Sequence, residues 1–111
     1  MAILTVVKPS LTGADPAFVA AAGGGDSFPN TGKETVHVKN GGGSEITPTF
    51  DAPGTCDFGV AANAAHDASG PVPAGGTRVY GPFAPAKFND GNGRVQISYS
   101  GVTTVTVAVL A

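Results

Sequence analysis

Hydrophobic and polar residues alternate most clearly between Gly93 and Leu110. Residues 95–99 read VQISY and residues 105–109 read VTVAV, which is the period of two expected when one face of a β-strand is buried. Ser100-Gly101 lies between them, and glycine supplies the positive φ of a tight connection. This pattern predicts two strands that pair as an antiparallel hairpin. Other strands should cover it, because an isolated hairpin is marginal in water.

A second pair of strands is predicted between residues 34 and 50. Residues 34–40 alternate strictly, and residues 45–50 alternate in the same way. The glycine-rich segment Gly41–Ser44 between them is typical of a flexible hairpin connection. Pro48 cannot donate to a β-ladder, so the second strand of this pair is expected at an edge or at a bulge.

Shorter patterns predict the remaining elements. The apolar run Ala2–Val7 lacks alternation, which indicates burial on both faces or a terminal arm that finds its second cover on another subunit. Residues 16–22 could start a helix at Asp15-Pro16, but the glycines that follow favour an extended segment. The other predictions are a turn cluster over 26–32 with Phe28 as its anchor, a short strand over 56–62, loops over 63–76, a strand over 77–83 bent at Gly81-Pro82, and a turn over 89–92.

The composition agrees with a β-rich domain. The 111 residues suit one domain, and the chain contains 17 Gly and 9 Pro, which favour turns over helices. We therefore predict a single all-β domain over residues 1–111. It should be a small antiparallel β-sandwich, jelly-roll-like, with about seven or eight short strands. Residues 1–9 are expected to form an N-terminal arm or an edge strand.

The net charge, the N-terminal segment and the cysteine content indicate which partners and which cellular location to expect. The net charge is −2 and the six basic residues are scattered, so nucleic acid is not an expected partner. The N-terminal MAILTVV lacks the features of a signal peptide, and no apolar stretch approaches the roughly 20 residues that cross a bilayer. Cys56 has no second cysteine with which to form an intrachain disulfide. We expect a soluble subunit that is made in a cytoplasm and has no membrane partner.

Candidate reactive residues are few. His37, Cys56, His66 and Asp67 are possible metal ligands, but none of them shows the close pair spacing of zinc sites. Nothing around Cys56 indicates an activated thiolate, so an inert buried cysteine is the better interpretation. We therefore predict no enzyme, no catalytic residue, no cofactor and no metal.

The surface offers candidates for protein contacts instead. Three aromatic residues in and after the predicted strand 77–83 could form an apolar interface patch, or they could cap an open end of the sandwich. The apolar N-terminal run could add a strand to a neighbouring subunit. The candidate interface residues are Ile3, Leu4, Val6, Tyr80, Phe83 and Phe88.

Three stretches of the chain, between about Asp26 and Leu110, form a recognisable set: GDSFPNTGKETVHVKN, VPAGGTRVYGPFAPAKFNDGNGRVQISYS and TTVTVAVL. In these stretches the chain resembles a family of small proteins of tailed bacteriophages. Those proteins are usually encoded near the major capsid protein and resemble capsid decoration (cement) proteins. It implies a β-sandwich subunit on the outside of an icosahedral head, as trimers at local threefold positions, with the major capsid protein as partner. The family carries no catalytic residues.

Other classes fit the same fold. A carbohydrate-binding or adhesin-like module normally displays exposed aromatic residues, and this chain has no Trp and two Tyr. A tail or fibre structural protein would share the composition but would form elongated or ring assemblies. An enzyme would require His37, Cys56 and His66 to converge.

Overall fold

The alternating segments of the sequence form the longest strands of a two-sheet structure. The computed structural model describes residues 2–52 and 68–111. Within these residues the strands are β1 (Ala2–Ile3), β2 (Val6–Val7), β3 (Val19–Ala20), β4 (Asp26–Pro29), β5 (Thr35–Asn40), β6 (Pro48–Phe50), β7 (Ala68–Ser69), β8 (Thr77–Tyr80), β9 (Arg94–Tyr99) and β10 (Val105–Leu110). A four-residue helix, α1 (Pro85–Phe88), precedes β9. No helix in the described part of the chain is long and apolar enough to span a membrane.

The strands form two sheets. Sheet I has the order β1-β4-β9-β6-β7, and sheet II has the order β2-β10-β5-β8, with β3 also paired to β10. β1 runs parallel to β4 and β2 runs parallel to β10, whereas the other strand pairs are antiparallel. This confirms the predicted fold class, a small all-β sandwich.

Alternation places one row of side chains from each sheet in the core. Val36 and Val38 of β5 and Val107 of β10 are fully buried, as are Phe28 and Phe50 from sheet I. Burying a side chain of this kind contributes roughly 1.5–3 kcal/mol relative to leaving it in water. The sequence pattern had predicted the buried face of β5, β6, β9 and β10.

Both predicted hairpins are wrong, although the strands in them exist. β9 lies in sheet I and pairs with β4 and β6, whereas β10 lies in sheet II and pairs with β5. Residues 100–104 therefore cross from one sheet to the other. β5 and β6 are separated in the same way, so residues 41–47 also cross between the sheets. A period of two specifies which face of a strand is buried, but it does not specify which strand lies beside it.

The two crossing segments lie against each other at one end of the sandwich. Gly41 N donates to the Thr104 carbonyl at 2.9 Å, and Ser100 N donates to the Thr47 carbonyl at 3.1 Å. The Ser100 hydroxyl oxygen accepts a hydrogen bond from Thr47 N at 2.8 Å. The glycines that suggested a flexible hairpin connection thus belong to a hydrogen-bonded pair of crossings.

Two shorter predictions are corrected and one is confirmed. Residues 26–29, predicted as part of a turn cluster, form β4, and Phe28 is the buried anchor that was expected there. The region predicted as loop contains β7 and a β-bridge between Val72 and Ile46. Residues 16–22 contain β3, which confirms the extended segment that was favoured over a helix. The strand predicted over 56–62 lies outside the described residues.

The apolar N-terminal run crosses between the sheets as well. β1 lies at the edge of sheet I, and β2 lies beside β10 in sheet II. Leu4 lies between them, is 5% exposed, and donates its backbone N–H to the Ser27 carbonyl at 2.7 Å. Residues 2–7 therefore supply an edge strand to each sheet of their own domain.

Candidate interaction surfaces

The aromatic residues predicted at an interface pack against one another. The Phe83 ring centroid lies 4.7 Å from that of Phe50 and 5.2 Å from that of Phe88, and the Tyr80 ring lies 5.1 Å from the Phe50 ring. The Tyr80 hydroxyl donates to the Gly70 carbonyl at 2.7 Å. Phe83 is only 3% exposed, and the other two candidates are half-buried. Phe83 therefore belongs to the hydrophobic core, and Tyr80 and Phe88 pack against that core.

The N-terminal candidates divide between core and surface. Leu4 belongs to the hydrophobic core, and Val6 is half-buried against it. Ile3 is 61% exposed and is available for contact with another molecule. Two of the six candidate interface residues, Leu4 and Phe83, are therefore covered by their own domain.

The side of sheet II that faces away from the core carries mainly aliphatic and threonine side chains. Residues paired across β8, β5 and β10, and onto β2 and β3, share this side because paired residues point to the same face. We call it the sheet II outer face. It consists of the apolar Val7, Ala20, Val79, Ala108 and Leu110, of Thr35, Thr77 and Thr106, and of His37 and Lys39. Ala108 is buried, and the other nine residues are half-buried or exposed.

None of the ten residues of the sheet II outer face is acidic, although the whole chain has a net charge of −2. The Lys39 amine lies 4.1 Å from the centroid of the half-buried Phe18 ring, within the range of a cation–π contact. Burial lowers the pKa of His37, which keeps this imidazole neutral at pH 7. Val79 is 56% exposed on the edge strand β8. The face is therefore uncharged apart from one fixed positive charge.

The corresponding face of sheet I is polar. The register places Ile3, Ser27, Pro29, Thr49, Ser69, Arg94, Gln96 and Ser98 on it. Hydroxyl and amide groups dominate this set, and Ile3 is its one large aliphatic side chain. The two outer faces of the sandwich thus differ in chemistry.

An apolar cavity lies where β2 and β3 meet the same edge of β10. Its volume is about 340 Å³, and it is lined by residues 3–5, by Ala17, Val19 and Ala20, and by residues 107–109. We call it the β10 groove. Val19, at 47% exposed, and Ile3 are both open to solvent, whereas the β10 residues at the groove are buried.

A buried carboxylate lies on the inner face of sheet I. Asp26 Oδ2 accepts hydrogen bonds from the Tyr99 hydroxyl at 2.7 Å and from Ala22 N at 3.2 Å. Asp26 Oδ1 is buried without a hydrogen-bond partner. Burial, together with the neighbouring Asp26 carboxylate, raises the pKa of the Tyr99 hydroxyl, so it stays protonated and donates. This pair stabilises the position of β4 against β9.

The residues considered for metal or nucleophilic chemistry do not form a described site. Among residues 2–52 and 68–111, no three His, Cys, Asp or Glu side chains are placed to hold a metal ion. His37 lies on the sheet II outer face, with Nε2 3.4 Å from the Thr35 hydroxyl oxygen. Cys56, His66 and Asp67 lie outside the described residues.

Sequence reasoning missed the residues that distinguish the two outer faces. Val79 and Ala108 were not singled out, because strand pairing is needed to show that they form a row with His37. One signal was present in the sequence: the outward positions of β5 and β8 carry no acidic residue.

Comparisons with family models, with curated proteins and with solved structures found no match for this chain.

Proposed function

We propose that this chain is a structural virion protein, a capsid decoration (cement) subunit that binds the outer surface of an assembled bacteriophage head and stabilises it. The resemblance of residues 26–110 to small phage proteins of this type supports the proposal. The observation that carries it furthest is the sheet II outer face, which combines exposed aliphatic and threonine side chains with the absence of acidic residues.

This face has the composition expected of a docking surface. The centres of protein–protein interfaces are depleted in charged residues, and burying apolar area supplies most of the driving force for association. On the sheet II outer face, Lys39 is the one permanently charged side chain. The capsid surface that it meets is therefore apolar, with an acidic group placed to approach Lys39. The polar sheet I outer face, apart from the buried Ser27, then points towards solvent.

Stabilisation of the head follows from linkage. A subunit that binds the assembled, expanded lattice but not the separated capsid proteins shifts the equilibrium towards the assembled state. Each contact can be weak, because many copies bind one shell and an oligomer makes several contacts at once. In this proposal the subunits associate as trimers at local threefold positions. No chemical step and no cofactor are involved.

The test uses expanded heads that lack this protein. Purified protein is mixed with them, the heads are sedimented, and the bound fraction is measured. The treated heads are then heated, and DNA release is followed by fluorescence of an intercalating dye. We expect saturable binding and a higher temperature of DNA release. Protein that stays in the supernatant, or that sediments with isolated tails instead of heads, would reject the capsid assignment, and the second result would favour a tail protein.

A further inference from the structure

The β10 groove is large enough to hold an aliphatic side chain from another molecule. Its volume of about 340 Å³ exceeds the roughly 150 Å³ of an engineered apolar cavity that binds benzene. Its floor is formed by residues 107–109 of the buried strand β10, and Ile3 and Val19 stand exposed beside it. Exposed aliphatic side chains around an apolar cavity mark a site that gains free energy when it is covered.

The same chain carries an aliphatic side chain that suits this groove. Leu11 is fully exposed at the tip of a turn in the segment between β2 and β3. Gly13 N donates to the Ser10 carbonyl at 3.1 Å, and the Ser10 hydroxyl donates to the Gly13 carbonyl at 2.9 Å. These hydrogen bonds close the turn and hold Leu11 at its tip. A rigid turn that presents a leucine loses little conformational entropy on binding.

Leu11 does not fill the groove of its own chain. The turn is tethered at both ends to strands that flank the groove, since β2 and β3 pair with the same edge of β10. Despite this short tether, the Leu11 side chain is fully exposed and is absent from the groove lining. The groove and the leucine are thus complementary surfaces that both remain open in one copy.

We propose that Leu11 of one copy docks into the β10 groove of a second copy. The contact joins two different patches, so it is heterologous and can repeat from copy to copy until a ring closes. The proposal rests on the self-association included in the proposed function, and it names the contact through which the copies associate. It does not depend on binding to a capsid.

The experiment measures self-association by sedimentation velocity over a range of concentrations. Two variants each remove one side of the contact: Leu11→Ser removes the docking side chain, and Val19→Glu places a charge at the groove. Both positions are exposed, so the fold should survive, and thermal unfolding monitored by circular dichroism checks this. Because truncating an anchor of this kind costs about 2 kcal/mol or more, we expect each variant to self-associate about 30-fold more weakly than the wild type. Lys33→Ser, which shortens an exposed side chain outside both the β10 groove and the sheet II outer face, should associate like the wild type.

A mixture of the two variants provides the sharper result. Leu11→Ser keeps an intact groove and Val19→Glu keeps an intact Leu11, so an equimolar mixture should form mixed dimers although neither variant associates alone. A mixture that remains monomeric, or a wild type that is monomeric at every concentration, would overturn the proposal. If the wild type is monomeric and Val19→Glu loses head binding, the groove takes a capsid protein, which also overturns the proposal. Head binding by the wild type is measured independently, so a failure of this self-association proposal does not reject the capsid assignment.

Discussion

Tyr99 and Asp26 show how a single hydrogen bond supports the packing of a strand pair. The Tyr99 hydroxyl donates to a carboxylate that is fully buried and that has one oxygen without a partner. A hydrogen bond to a charged group contributes roughly 1.5–3 kcal/mol. Its loss leaves the buried carboxylate with the hydrogen bond from Ala22 N at 3.2 Å.

We predict that Tyr99→Phe lowers the free energy of unfolding by about 2 kcal/mol, measured by urea denaturation at pH 7. The matched control is Tyr80→Phe, which also removes a half-buried tyrosine hydroxyl donor, but from the neutral Gly70 carbonyl. This control should cost about 1 kcal/mol. Equal losses in the two variants would contradict the role assigned to the Asp26 carboxylate.

The lowered pKa of the Glu34 carboxyl predicts that stability depends on pH. Burial alone would raise the pKa of Glu34, but hydrogen bonds from Thr31 N at 2.7 Å, from the Thr31 hydroxyl at 2.9 Å and from Lys33 N at 3.2 Å lower it below the ordinary 4.5. The folded state therefore holds this proton less tightly than the unfolded state does. The resulting stabilisation is present above pH 4.5 and is lost as the pH falls through the lowered value.

Glu34→Gln tests this dependence. The wild type should exceed the variant in free energy of unfolding at pH 7, and the difference should shrink as the pH is lowered from 5 to about 3. Glu45→Gln is the control at an exposed position. A difference between wild type and Glu34→Gln that stays constant over this range would show that Glu34 contributes through packing instead of through its charge.

At the scale of elements, some glycines lie against neighbouring backbone and others lie next to open space. Gly25 has a φ of +96°, and a Cβ at this position would lie 2.6 Å from the Ile97 carbonyl oxygen of the neighbouring strand β9. Gly43, in the crossing between β5 and β6, would place its Cβ more than 4 Å from any other group. The same substitution should therefore have different effects at the two positions.

We predict that Gly25→Ala lowers the free energy of unfolding by about 2 kcal/mol or more, because the side chain meets backbone and the φ is unfavourable for L-residues. Gly43→Ala should change the free energy of unfolding by less than about 1 kcal/mol. Thermal unfolding by calorimetry measures both. A stable Gly25→Ala variant would mean that β4 does not approach β9 as closely as described.

The elements also show what the sequence could predict. The alternation in residues 95–99 and 105–109 identified the buried side chains of both strands, because burial follows the local period of two. It did not identify their sheets, because residues 100–104 could equally have turned back along one sheet or crossed to the other. The place of residues 2–7 in the sheets could not be predicted for a related reason. A sequence without alternation does not show that Leu4 lies between two edge strands.

At the scale of the whole molecule, the candidate surfaces were harder to predict than the core. Tyr80, Phe83 and Phe88 were singled out because aromatic residues are common in interfaces, but aromatic residues are equally common in cores. The sheet II outer face is assembled from five strands that are distant in sequence, so its lack of acidic residues becomes visible only once the strand register is known. The difference between this face and the polar sheet I outer face supports the orientation proposed for the subunit on the head.

The most direct test of this account is the fraction of protein that sediments with expanded heads, compared between two variants. Val79→Asp places a charge at an exposed position of the sheet II outer face, and Ser98→Asp places the same charge at an exposed position of the sheet I outer face. We predict that the wild type and Ser98→Asp sediment with the heads, and that Val79→Asp binds about 30-fold more weakly or remains in the supernatant. Binding of Val79→Asp at the wild-type level, or loss of binding in Ser98→Asp alone, would contradict the account.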